Sequence, residues 1–337
     1  MYLHPTAAQV PKNLNAMSRS LLLHGLMSIA WDMQRRDQTS LGVLDGHSPI
    51  GDWKVRLAAS YNAWHRDFET WCAAYRAQLT SVPNHSHAQI AASSALGKEF
   101  EAFRTAALAL YHSAHILLYT PFLDLQIYAG ARHILGRPVA RADYVRSQRV
   151  VKKWVSTSLK EANNAVWHAA ALVRQGMEVL EGDVFEGEPG SASPSGNTTA
   201  DVSGAGGRLW HLPWAVYLGT LVIWGVWYAK PVQRPAAGGG AERTDGADDE
   251  DEIIWDPRAE MRGLLEAILN TYGKGSLAVD GEGGGVGIAG VLGKRGVNGL
   301  AAAVSKALGK VRWAVVHDAM MVLRGLVCWR LVGGGGM

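Results

Sequence analysis

Residues 53–80 read WKVRLAASYNAWHRDFETWCAAYRAQLT. The large apolar residues are Trp53, Leu57, Tyr61, Trp64, Phe68, Trp71, Tyr75 and Leu79, always three or four positions apart. That spacing follows the 3.6-residue turn of an α-helix and lays an aromatic row along one face. Lys54, Arg56, Arg66, Glu69 and Arg76 fall elsewhere on the wheel. The stretch therefore predicts an amphipathic helix from Asp52 to Thr80, with Asp52 as its N-cap and the aromatic row laid on a partner.

The same rhythm recurs along the chain. Residues 98–120 place Phe103, Ala107, Leu110, Ala114 and Leu117 in a seam, and Pro121 stops the helix because it lacks the N–H that a further turn needs. Residues 143–180 continue it through Val151, Val155, Leu159, Ala162, Val166, Ala169, Val173, Met177 and Leu180. Residues 298–332 do so through Val304, Leu308, Val311, Val315, Ala319, Val322, Leu326 and Trp329. Shorter helices are expected at 21–36 and 258–272. No stretch alternates with period two, so no sheet is expected. The fold class is all-α: a large helical array with mobile Gly/Pro-rich and acidic insertions at 182–207, 231–252 and 273–297.

Composition narrows the function. Two cysteines in 337 residues, Cys72 and Cys328, make neither a disulfide framework nor a metal-binding pattern. The net charge of +3 does not by itself call for nucleic acid. Its distribution is uneven: residues 242–256 carry eight acids against one arginine, whereas 137–153 carry six cations against one acid. Within the latter, Arg146, Arg149 and Lys153 fall within about 60° of one another, opposite Val151, Val155 and Leu159. A solvated helix face accounts for that pattern, and an acidic partner or a phosphate backbone is the alternative. No secretory signal precedes the first helix, so the Asn197 sequon reads as coincidence.

Several motifs dissolve on inspection. Leu212–Ala229, LPWAVYLGTLVIWGVWYA, is 18 residues without a charge, close to the roughly 20 that span a bilayer. Tyr217 and Trp224 sit inside the stretch rather than at its ends. A helix buried on all sides is therefore the favoured reading, and an integral membrane protein with one span at 212–229 is the alternative. GVGIAG at 285–290 matches a dinucleotide fingerprint only through glycine abundance. His112 and His115, and His85 and His87, lack the further ligands that zinc would need. Residues 46–50 lack the closing glycine of a nucleophile elbow. No catalytic constellation is found, and no enzyme is expected. DDEDEIIWDP at 248–257 is either an acidic activation segment or a solvated linker leading into a helix.

One long stretch goes further. FLDLQIYAGARHILGRPV at 122–139, followed by Asp143-Tyr144 and VKKWV at 151–155, resembles a signature of the fungal-specific transcription factor domain. The version it is most similar to occurs in proteins with two-cysteine, two-histidine zinc fingers. The segments from Leu23, Trp53, Ala109, His211 and Leu308 resemble the same family, in order. The signature residues are Asp124, Gly130, Gly136, Arg137, Pro138 and Trp154, and Arg146, Arg149 and Lys153 form a candidate basic contact face. The resemblance implies a single regulatory domain over 1–337, truncated at its N-terminus. It implies a nuclear regulator of RNA polymerase II transcription that works through proteins of the transcription machinery, with a homodimer allowed and no membrane contact. No catalytic, metal or cofactor residue is expected in this chain. Zinc and DNA binding would reside in fingers that this chain does not contain.

Overall fold

A computed structural model of the chain describes residues 14–40, 53–81, 87–134, 136–182, 211–230, 256–275 and 291–327. They form ten α-helices and one antiparallel pair of two-residue strands, an all-α fold as expected. The strand pair was not foreseen. The helices group into two compact units, residues 1–118 and 119–337.

The first unit holds α1 (Ala16–Ser40), α2 (Trp53–Ser81) and α3 (His87–Tyr119, whose last residue passes into the second unit). Asn15 caps α1 by accepting the Ser18 N–H at 2.8 Å, which starts that helix earlier than hydrophobic spacing alone suggested. The aromatic row of α2 meets a second row on α3. Tyr75 packs on Phe100 with ring centroids 4.8 Å apart, Phe68 on Phe103 at 6.1 Å, His65 on Tyr111 at 4.4 Å and Tyr61 on His115 at 5.2 Å. As one number falls the other rises, so the two helices run antiparallel. Polar contacts flank the ladder in the same register: Arg76 with Glu101 at 2.7 Å, Arg104 with Glu69 at 2.9 Å, and the Tyr111 hydroxyl donating to Asn62 at 2.7 Å.

Within the row, Trp53, Leu57, Tyr61, Trp64 and Phe68 are buried, while Trp71, Tyr75 and Leu79 stay half-exposed. Trp64 also donates its indole N–H to the Arg19 carbonyl at 2.8 Å, which gives the buried ring's polar edge a partner. Arg19 is itself buried: its guanidinium pairs with Asp67 and lies 5.7 Å from the Trp71 ring.

In the second unit α3 ends at Tyr119, Pro121 follows, and α4 (Phe122–Tyr128) starts. The strands β1 (His133–Ile134) and β2 (Arg137–Pro138) follow, and then α5 (Arg141–Thr157) and α6 (Leu159–Gly182). The single helix expected over 143–180 is thus two. Thr157 and Ser156 turn their hydroxyls back onto the Lys153 carbonyl, at 2.7 and 3.1 Å, and Ser158 leaves helical geometry at φ −117°, ψ 46°. Hydroxyl side chains that compete for backbone partners weaken a helix in this way. Leu159, placed in the expected seam, is 48% exposed.

The remaining helices are α7 (Leu212–Tyr228), α8 (Pro257–Gly275), α9 (Lys294–Leu308) and α10 (Ala314–Leu326). The helix expected over 298–332 is also two, separated at Gly309-Lys310. The break shifts the buried stripe of α10 to Val316, Ala319, Met320 and Leu323, leaving Val315 53% exposed. The insertion expected at 273–297 is narrower: α8 runs to Gly275, α9 starts at Lys294, and Val297 is buried. Asp256, the last acid of the 248–257 motif, accepts the Arg258 N–H at 2.9 Å and caps α8 ahead of Pro257. The rest of that motif, Asp52, His85, residues 46–50, the 285–290 glycines and Trp329 lie outside the described residues.

The charge-free stretch is a core helix. Fourteen of the seventeen residues of α7 are buried, with α4, α6, α9 and α10 packed around it. Among the described residues no helix is long and apolar enough to cross a membrane. Close approach is built into α7: a Cβ at Gly219 would press within 3.3 Å of the Ala169 carbonyl of α6, and one at Gly225 would strike Leu125 of α4.

Two outcomes follow from the ladder. Trp64→Ala should cost about 3–5 kcal/mol, the range for a truncated buried aromatic, and the half-exposed Trp71 less. Arg66→Ala, on the exposed side, should stay within about 0.5 kcal/mol; urea unfolding of the three variants checks the order. Burial in the ladder, with His65 nearby, lowers the His115 pKa from its ordinary 6.5 to about 3. Between those values the unfolded chain binds the proton and the folded chain does not, so stability rises with pH across that window and is lost as pH falls below 6.5. Going from pH 7 to pH 5 should remove about 2 kcal/mol through this one group. His115→Phe should flatten that slope in urea titrations at the two pH values.

Candidate functional site

The signature stretch forms one continuous piece of structure: α4, a turn, the strand pair and α5. Its first helix is held between α5 and α7. Asp124 accepts the hydroxyl of the buried Ser147 of α5 at 2.7 Å. Tyr128 hydrogen-bonds Gln148 of α5, and Gln126 reaches Tyr217 of α7. Burial pushes the Tyr128 and Tyr217 hydroxyls up to about 12, against the opposite pull of the Gln148 and Gln126 side chains. Leu125, fully buried, fills the space that Gly225 leaves open on α7.

The two signature glycines serve the turns. Gly130 has φ 90°, its N–H bonds the Ile127 carbonyl at 3.0 Å, and the next N–H, of Ala131, bonds Gln126 at 3.0 Å. That pair of bonds is a Schellman cap, which needs a left-handed residue where Gly130 stands. Gly136, at φ 78°, turns β1 into β2, with His133 opposite Pro138 and Ile134 opposite Arg137. The Val139 N–H closes the hairpin on the Arg132 carbonyl at 2.9 Å. The chain then enters α5, where Asp143 accepts the Ala140 N–H at 3.1 Å.

The signature residues thus divide by role. Asp124, Gly130 and Gly136 set the backbone path. Trp154 is buried with Ser147, Val151 and Val155 on the inner side of α5. Arg137 and Pro138 are exposed on β2. The basic residues face outward as the wheel predicted: Arg146, Arg149 and Lys153 are all exposed. Arg146 is partly committed, lying 3.8 Å from Asp124 and 3.9 Å from Asp143. A shallow surface depression lined by Arg141, Ala142, Val145, Arg146, Arg149 and Val150 runs along this helix. The Asp124–Ser147 bond joins residues 23 apart, and no local pattern in the sequence announces such a pair.

Chemically, the region offers an exposed cationic surface on a rigid support. Among the described residues no group of three or more His, Cys, Asp or Glu side chains is placed to hold a metal. Cys72 is buried and its thiol is pushed up to about 11, chiefly by that burial. The thiolate that a metal takes is therefore scarce at neutral pH. His112 and His115 are buried in the first unit, His115 against Tyr61 and Tyr111.

Comparison with known proteins defines the class first. No family model matches the chain, and no solved structure does. Curated proteins do: the chain is similar to a transcription factor and to a zinc finger protein of two fungi. Across 331 residues, 96% of this chain, it is 32% identical to the nicotinate catabolism cluster-specific transcription factor of Emericella nidulans. Across 230 residues, 67% of this chain, it is 25% identical to zinc finger protein klf1 of Schizosaccharomyces pombe. The matched regions span 30% and 23% of those two proteins. The chain is accordingly homologous to one part of a fungal transcription factor.

Gly130→Ala should cost about 1–2 kcal/mol, the penalty for a side chain in left-handed geometry, and Gly130→Asn less. Thermal melts of the two variants against the parent check the ranking. Equal melting temperatures for all three would mean that the cap contributes nothing.

Proposed function

We propose that this chain is the regulatory domain of a fungal zinc-finger transcription factor, acting in the nucleus on RNA polymerase II transcription through protein contacts. The observation that carries the reading is the 32% identity over 96% of the chain to a protein named as a transcription factor. The name of the second relative supplies the zinc finger. Reading base edges takes an element that enters a groove, and folding a finger takes four zinc ligands. Among the described residues no such group of zinc ligands is placed together, and this reading assigns zinc and base recognition to the part of such proteins beyond the matched region. The chain's own contribution is a helical scaffold that displays exposed surface to partner proteins.

The test is a fusion of the chain to an unrelated sequence-specific DNA-binding domain, read with a reporter gene in a fungal cell. Reporter output should differ from that of the DNA-binding domain alone, and Trp64→Ala should reduce the difference by destabilising the first unit. Output equal to the bare DNA-binding domain, at matched protein level, would contradict the proposal.

A further inference from the structure

Some exposed or half-exposed arginines elsewhere in the molecule find carboxylates on neighbouring helices: Arg76 pairs with Glu101 and Arg104 with Glu69, while Arg258 meets Glu181 at 3.0 Å and Arg295 meets Glu260 at 2.9 Å. The outward side of α5 instead gathers cations with little acid among them. At 100° per residue, Arg141, Lys152, Arg149, Lys153 and Arg146 cover about 140° of the helix. The buried Ser147, Val151, Trp154 and Val155 lie on the other side. All five cations are exposed, and the exposed Arg132 and Arg137 of the hairpin continue the surface beyond the start of α5.

Asp143 is the one acid between Arg132 and Lys153, and it is engaged by the Ala140 N–H and Arg146. Among the described residues Arg146 is the one of these cations within ion-pair distance of a carboxylate. An ordinary solvated face intersperses both signs. This one carries a single sign from Arg141 to Lys153, about 18 Å at 1.5 Å per residue, or about five base-pair steps of duplex DNA.

We propose that the hairpin and the outward face of α5 form a sequence-independent contact for the phosphate backbone of double-stranded DNA. The proposal rests on the transcription-factor reading. A regulator held at its site by another element presents this face to the flanking duplex at high effective concentration, where even a weak contact is occupied. Cations spread across such a width suit a surface of distributed phosphates. They position a protein on DNA without reading its sequence.

The experiment is fluorescence anisotropy of the full chain with a labelled 20-base-pair duplex of arbitrary sequence, titrated at several salt concentrations. Binding should be measurable at low salt, unchanged by scrambling the duplex, and linear in log–log form against salt. Each lost phosphate contact removes about 0.9 from that slope. The combined variant Arg141→Gln, Arg149→Gln, Lys152→Gln, Lys153→Gln should therefore lower the slope by about 3–4 and weaken low-salt binding more than about tenfold. A control removes the same charge from exposed positions elsewhere: Lys306→Gln, Lys310→Gln, Arg312→Gln and Arg324→Gln. It should keep the slope within about one unit of the parent. Circular dichroism confirms that both variants keep their helices.

Three results would overturn the proposal: no binding at low salt, equal losses in the two variants, or displacement of the duplex by an equal charge concentration of poly-glutamate. The last would assign the face to an acidic protein. Each of them leaves the reporter result untouched, so loss of the DNA contact and loss of the regulatory reading are separately visible.

Discussion

A helix without a charged residue gains most when it is enclosed, and fourteen of the seventeen residues of Leu212–Tyr228 are buried among α4, α6, α9 and α10. The rest of the second unit follows from enclosing it. Helix α6 lies against it closely enough that Gly219 has room for no side chain. Helix α4 closes another side by setting Leu125 into the gap at Gly225, and its Gln126 satisfies the buried Tyr217 hydroxyl. Because α4 is only seven residues long, its ends must be fixed by something other than helix length. Pro121 starts it and the Gly130 cap ends it. The hairpin and α5 then leave in a set direction, so the cationic face is positioned, through four short steps, by the burial of a helix on which it does not lie.

The first unit is governed by a different constraint, the antiparallel aromatic ladder of α2 and α3. Large flat rings bury much area and tolerate few relative orientations, which makes the ladder specific as well as stabilising. It also explains two polar residues in odd places. Arg19 enters the core because Asp67 and the Trp71 face receive it, and Trp64 is satisfied by the Arg19 carbonyl. His115 enters it with a lowered pKa, which links this unit's stability to pH.

Period and composition sufficed for the fold class, for the aromatic face of α2 and for the buried nature of α7, because each is a property of one helix taken alone. The breaks at Ser158 and Gly309 were not legible. Apolar spacing runs through both positions, and the interruptions come from hydroxyls turned onto the backbone and from a change of buried side between α9 and α10. The site was readable in part. The outward direction of Arg146, Arg149 and Lys153 follows from a helical wheel, whereas the commitment of Arg146 to Asp124 and Asp143 depends on how α4 meets α5. The need for Gly130 and Gly136 became visible only with their positive φ angles. Arg141 and Lys152 lie on the same wheel and belong to the same face; a narrower angular window had set them aside.

The structure joins a helical scaffold to a displayed surface, and the proposed regulatory role draws on the similarity to a transcription factor of Emericella nidulans. The most direct measurement is a transcript profile of the source organism after the segment encoding residues 14–327 is deleted from the native gene. A defined set of transcripts should rise or fall together, and restoring the residues should return them. Transcript levels indistinguishable from the parent across the growth conditions in which the protein is present would contradict a regulatory role for this chain.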